Sequence, residues 1–298
     1  MNNERKWKGK TGGNLLGQWG LIVLFKFLDI RIVYFLMSLV VPFYMLFAAK
    51  RAKAIYHYFR KQFNCSRWKS LIKTYQNHFI FGQVVLDRFA VFAGNKNIFE
   101  LELIGYEHFE RLENGKKGFI TASSHIGNFE IGGYMLRSKK KKMNALIYAG
   151  ETKTVQANRT KILGDNNINL IPVLDDMSHL FAVHAALQQG EIVSMPCDRN
   201  LGSAKSVTCD FLNGKADFPV GAFALATTFE VEVLAIFIIK KSSKKYTAYI
   251  KPVKIDDETD GTKREKIERY VRSYVKEVET IVREYPEQWF NYYEFWKE

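Results

Sequence analysis

"GFITASSHIGNFEIGG", residues 118–133, passes from an apolar run into a turn and then into an apolar helix. The run ends near Ala122; Ser123, Ser124 and Gly127 are turn residues, and Asn128 is placed to cap the helix. The same grammar extends in both directions. ELELIG (100–105), ALIYA (145–149), INLIPV (168–173), EIVSMPC (191–197), SVTCDFL (206–212), EVEVLAIFII (230–239) and YTAYIKPV (246–253) read as strands. NFEIGGYML (128–136), residues 154–163, 176–189, GAFALATTF (221–229) and the charged amphipathic stretch 263–284 read as helices. Strands alternating with helices predict an α/β fold, a sheet with helices on its faces.

Upstream the pattern changes. IVYFLMSLVVPFYMLFAA, residues 32–49, holds no charge and is bracketed by Arg31 and Lys50. Eighteen helical residues reach about 27 Å, close to a hydrocarbon core. The basic, aromatic segment KRAKAIYHYFRK (50–61) comes next, as befits a headgroup interface. The expectation is an N-terminal helical membrane anchor, spanning the bilayer or entering one leaflet; a buried soluble helix is the alternative. Residues 50–92 read as helical. The domain boundary is set at 1–60 for the membrane-associated region and 61–298 for the α/β domain.

The chain is 298 residues long, with 44 Lys plus Arg against 31 Asp plus Glu, a formal charge of +13. Beside an apolar anchor, that excess predicts an anionic membrane surface as partner and no nucleic acid, since no nucleic-acid motif accompanies it. The three cysteines, Cys65, Cys197 and Cys209, have neither disulfide nor zinc spacing, so no metal is expected and reduced thiols are.

The opening stretch also carries chemistry. His125 falls in the loop after a strand and Glu130 in the first helical turn, at the end of an α/β sheet where ligands gather. A carboxylate bonded to one imidazole nitrogen fixes the tautomer and leaves the other nitrogen to take a proton. The plain reading stands beside it: Glu130 favoured at a helix start by the dipole, His125 a satisfied loop residue.

The H-x4-E pattern after a strand, behind an N-terminal anchor, resembles the lysophospholipid acyltransferase superfamily, and more closely its lipid A biosynthesis (lauroyl/myristoyl) branch. PCDRNLG (196–202), CDFLNGKADFPVGAFALA (209–226) and YPEQWFNYYEFW (285–296) are similar to further segments of that branch. The resemblance implies a mixed sheet flanked by helices, like that of glycerolphosphate acyltransferases. It implies transfer of a fatty acyl group from acyl-ACP or acyl-CoA, as co-substrate with no other cofactor, to a hydroxyl or amine of a membrane lipid. Carried over, His125 is the general base and Glu130 its partner. Asp198 and Arg199 take a positioning or anion-binding role, and Gly214 and Pro219 shape the third segment. Asn128 joins them as a substrate-binding residue, and Arg159 is the nearest match to an arginine the branch carries. The F-P-E-G motif of the phospholipid branch is absent. The location implied is the cell inner membrane, with the catalytic domain facing the cytoplasm. A thioester hydrolase on the same pair and a non-catalytic lipid-binding membrane protein remain as alternatives.

Overall fold

Strand β2 (Phe119–Ser123) explains why the opening stretch organises the molecule. It is buried on both faces and hydrogen-bonded on both edges, so its apolar run has no solvent side to mark with polar residues. The computed structural model describes residues 20, 25, 27–92, 94, 96–136, 138–148, 167–174, 178–199, 205–255 and 261–297. Around β2 lie β1 (Glu100–Ile104), β3 (Met143–Tyr148), β4 (Ile168–Val173), β5 (Ile192–Pro196), β8 (Val233–Lys240) and β9 (Lys245–Pro252). They form a seven-stranded sheet in the order β1-β9-β8-β2-β5-β3-β4. Neighbours are parallel except the β8–β9 hairpin, so the sheet is mixed, as expected. A separate antiparallel hairpin pairs β6 (Ser206–Phe211) with β7 (Gly214–Pro219).

The alternation of side chains along β8 divides the core in two. Val233, Ala235, Phe237 and Ile239 face one cluster with helices α2 (Ala49–Gln62), α6 (His179–Gln188), α7 (Gly221–Phe229) and α8 (Lys263–Glu284). Leu234, Ile236 and Ile238 face another with α1 (Ile30–Phe47), α3 (Arg67–Phe92), α4 (Tyr106–Asn114) and α5 (Phe129–Met135). Thus α1 joins the sheet's own core through Ile30, Val33 and Tyr34.

Among the described residues the expected elements are present with two changes, and one expected helix lies outside them. The run 50–92 is two helices, broken at residues 63–66, where Asn64 takes φ 49°. GKADFP is a strand, hidden in the sequence by its glycine, charges and proline but paired in full with β6. The helix expected over 154–163, and residues 176–177 of the next one, lie outside the described residues.

The helix α1 runs through Pro42 and has two faces. Ile30, Val33, Tyr34 and Val41 are buried, while Phe35, Leu39, Val40, Phe43, Leu46 and Phe47 are exposed, Phe47 at 91%. Trp68, Leu71 and Ile72 of α3 are exposed apolar residues as well. Among the described residues α1 is the one helix long and apolar enough to cross a membrane.

Candidate active site

The site is a product of register. In the parallel pair β2–β5, Ser123 stands opposite Pro196. Two residues further along each strand lie His125 and Asp198, so equal steps from a matched pair bring them together. The Cys197 amide still donates to the Ser123 carbonyl at 2.9 Å, carrying the pairing past the strand ends. Asp198 then grips His125 twice: its Oδ2 accepts from the His125 backbone amide and its Oδ1 from the imidazole Nδ1, each at 2.8 Å. The Asp198 side chain is 1% exposed and that of His125 20%.

With Nδ1 donating to a carboxylate, Nε2 is left without its proton and open as a base. Burial holds the His125 pKa below the ordinary histidine value; Arg199 pushes the same way, and Asp198 opposes them. Burial would raise the Asp198 pKa, but the charge and hydrogen bonds of His125, with Arg199, hold it below the usual carboxylate value. The pair at neutral pH is therefore a neutral imidazole on an ionised carboxylate.

The loop between β2 and α5 is pinned from two sides. The Gly127 amide donates to Gln288 O at 2.8 Å and the Asn128 amide to Ile238 O at 2.7 Å. Gly127 has φ 62°, and a Cβ there would sit 2.0 Å from Ile238 O, so only glycine fits. Asn128 caps α5, its Oδ1 accepting from Ile131 N at 3.1 Å. The tail after α8 closes the other side: Phe290 N donates to His125 O at 3.0 Å, and Trp289 bridges Ile126. Arg199 donates to Phe290 O at 2.5 Å and lies over the Tyr293 ring, tying the Asp198 loop to the same tail.

A sequence model of bacterial lipid A biosynthesis acyltransferases matches residues 69–298, a span that includes every one of these groups. The chain belongs to that family. It is an acyltransferase of lipid biosynthesis, as the resemblance implied. No curated protein sequence matches it. Among solved structures it is similar to the 1-acyl-sn-glycerophosphate (LPA) acyltransferase PlsC from Thermotoga maritima. There the identity is 14% and the TM-score 0.40, over 92% of this chain and 98% of that one.

In this acyltransferase Glu130 sits in the first turn of α5 and accepts from Arg88 of α3, at 3.3 and 3.4 Å. The Nδ1 of His125 is held by Asp198, the residue whose expected role was positioning or anion binding. Arg199 and Asn128 adjoin the same loop, the first through Phe290 O and the second as the α5 cap. Arg159 lies outside the described residues, as do Asn200 to Ala204.

Arg88, which holds Glu130, and Gln288 and Phe290, which hold the His125 loop, were not singled out from the sequence. An arginine near the end of a long helix gives no sign of its target, and the tail's aromatic richness signals packing before function. Packing is indeed what Trp289 does: it is 1% exposed among Tyr58, Phe211, Phe295 and Trp296. Cys197, one residue from Asp198, is buried, and that burial pushes its thiol pKa well up, which unsuits it as a nucleophile. Of the lysine run 139–142, Lys141 turns inward to the carbonyls of Lys117 and Gly190 at 3.0 and 2.7 Å.

Proposed function

We propose that the protein transfers a fatty acyl group from a carrier thioester, acyl-ACP or acyl-CoA, to a hydroxyl or amine of a membrane lipid, with His125 as general base. The observation that carries this is the His125 Nδ1–Asp198 bond, which leaves Nε2 as the free basic nitrogen. As the acceptor oxygen or nitrogen attacks the thioester carbonyl, Nε2 takes its proton. The tetrahedral intermediate then collapses, the C–S bond breaks, and the imidazolium returns the proton to the leaving thiolate. A thioester is already activated, so base catalysis of about 10² to 10⁴-fold and stabilisation of the oxyanion carry the reaction. In this reading Asp198 orients His125 and stabilises the imidazolium. Glu130, set by Arg88, completes the site from the α5 side, and Arg199 adds positive charge beside it.

The acceptor is reached from a membrane surface. The exposed face of α1 supplies apolar side chains, and Lys50, Arg51 and Lys53 come next at the start of α2. With its first turns packed into the sheet's core through Ile30, Val33 and Tyr34, the helix in this reading lies in one leaflet, with anionic lipid facing the lysines and arginines. The leaflet is the cytoplasmic one of the inner membrane, where carrier thioesters are made.

The test is product analysis. The purified protein is given lauroyl-ACP or lauroyl-CoA and vesicles of total bacterial lipid, and lipids are read by mass spectrometry. An acylated lipid that disappears with His125→Ala, in a variant that still folds, is expected. Free fatty acid without acylated lipid would replace transfer by hydrolysis; undiminished turnover by the variant would remove His125 from the mechanism.

A further inference from the structure

A second polar group lies buried on the α1 side of the sheet, away from His125. Asp87 of α3 is fully buried and Lys240, the last residue of β8, is 3% exposed. The Lys240 Nζ donates to Asp87 Oδ2 at 2.6 Å and reaches the hydroxyls of Tyr34 and Tyr246 at 3.0 and 3.2 Å. Both hydroxyls donate to Asp87 through short bonds. Three elements thus converge on one carboxylate: α1 through Tyr34, β8 through Lys240 and β9 through Tyr246.

The group is continuous with the catalytic loop by two routes. The Asn128 side-chain amide donates to Tyr246 Oη at 3.1 Å, while its oxygen caps α5. The backbone of Lys240 exchanges two hydrogen bonds with the Gln288 side chain, at 2.9 and 2.8 Å, and the Gln288 carbonyl accepts from Gly127. The next residue of α3, Arg88, holds Glu130. A buried ion pair gains little net stability over apolar residues of the same volume. What it offers is direction: each of its bonds fixes one element at one angle.

We infer that Tyr34, Asp87, Lys240 and Tyr246 are positioning residues for acyl transfer, fixing the Asn128 cap and the His125 loop to the membrane-facing helix α1. They touch no reacting atom and act through Asn128 and Gln288. The inference rests on the acyl-transfer reading for its effect on rate, but its structural half stands apart from it.

The experiment uses the full chain bound to phosphatidylethanolamine/phosphatidylglycerol vesicles. Tyr34→Phe removes one hydroxyl and keeps the ring. Asn128→Ser keeps an oxygen for the cap and loses the amide that reaches Tyr246. Hydrogen exchange should quicken about tenfold over residues 125–132 in Tyr34→Phe, with residues 271–282 of α8 unchanged. The kcat for lauroyl transfer into vesicles of total bacterial lipid should fall about five- to tenfold at constant KM for the thioester. The double variant should be no slower than Asn128→Ser alone, since both changes cut one chain of contacts. Unchanged exchange over 125–132, an equal rise over 271–282, or rates that simply multiply would each overturn the inference. If the wild-type protein transfers nothing to lipid, the donor or acceptor reading fails, and the exchange measurement still decides the relay.

Discussion

At the scale of residues, the Asp198 and Glu130 carboxylates make different predictions. Asp198→Asn removes the charge that favours the imidazolium and should lower kcat by about 10² to 10⁴-fold. It should also move the acid limb of the pH–rate profile to lower pH, because Asp198 raises the His125 pKa against burial and Arg199. Glu130→Gln breaks the pair with Arg88 and leaves the Nδ1 bond whole. It should cost about tenfold, as for a positioning contact, and leave the limb in place. The opposite ranking would give the orienting role to Glu130. In the wild type the limb should lie below the ordinary histidine value of about 6.5, since burial lowers the His125 pKa. The same shift acts on stability. A histidine with a depressed folded pKa contributes stability that is complete above about pH 6.5 and lost as pH falls toward the folded value. Urea midpoints measured from pH 8 to pH 5 should therefore fall, and fall less in His125→Gln.

At the scale of elements, the β2-turn-α5 unit was legible because each residue type had one use there. Four apolar or β-branched residues fill a central strand, a glycine makes the turn and an asparagine caps. Gly127→Ala should be destabilising by at least about 2 kcal/mol and should disorder the loop, since it adds both a positive-φ strain and a backbone collision. A chemical denaturation curve beside the activity of the variant checks this. The partner of His125 was harder to read. His125 and Asp198 are 73 positions apart, and only the β2–β5 register makes them neighbours. A single sequence shows two strands without showing that they adjoin. Glu130 was legible because it lies five positions after His125, in the first turn of the next helix, in the H-x4-E pattern that carried the resemblance. The hairpin strand GKADFP and the break at residues 63–66 were missed for local reasons, a pattern too polar for a strand and one too continuous to suggest a break.

At the scale of the whole molecule, charge and hydropathy predicted a basic protein with an apolar N-terminal helix, and what they left open was how α1 meets the domain. The structure packs the first turns of α1 into the sheet's second core through Ile30, Val33 and Tyr34 and leaves most of the helix's apolar side chains exposed. Phe43→Glu together with Phe47→Glu should reduce vesicle binding at least about tenfold while leaving the thermal midpoint within a few degrees, because both side chains are exposed. Wild-type binding to anionic vesicles should weaken with salt more than binding to zwitterionic ones, as screening of the basic α2 requires. Co-sedimentation at two ionic strengths measures both.

The clamp that residues 288–290 place on the His125 loop also has a consequence in time. A ribosome makes α1 long before these residues, so the apolar helix is complete while the His125 loop still lacks the groups that hold it. The order of synthesis therefore places the helix before the clamp. A chain cut short before Gln288 keeps His125 and Asp198 but loses the bonds to Gly127 and His125, and should therefore be inactive in the acyl-transfer assay.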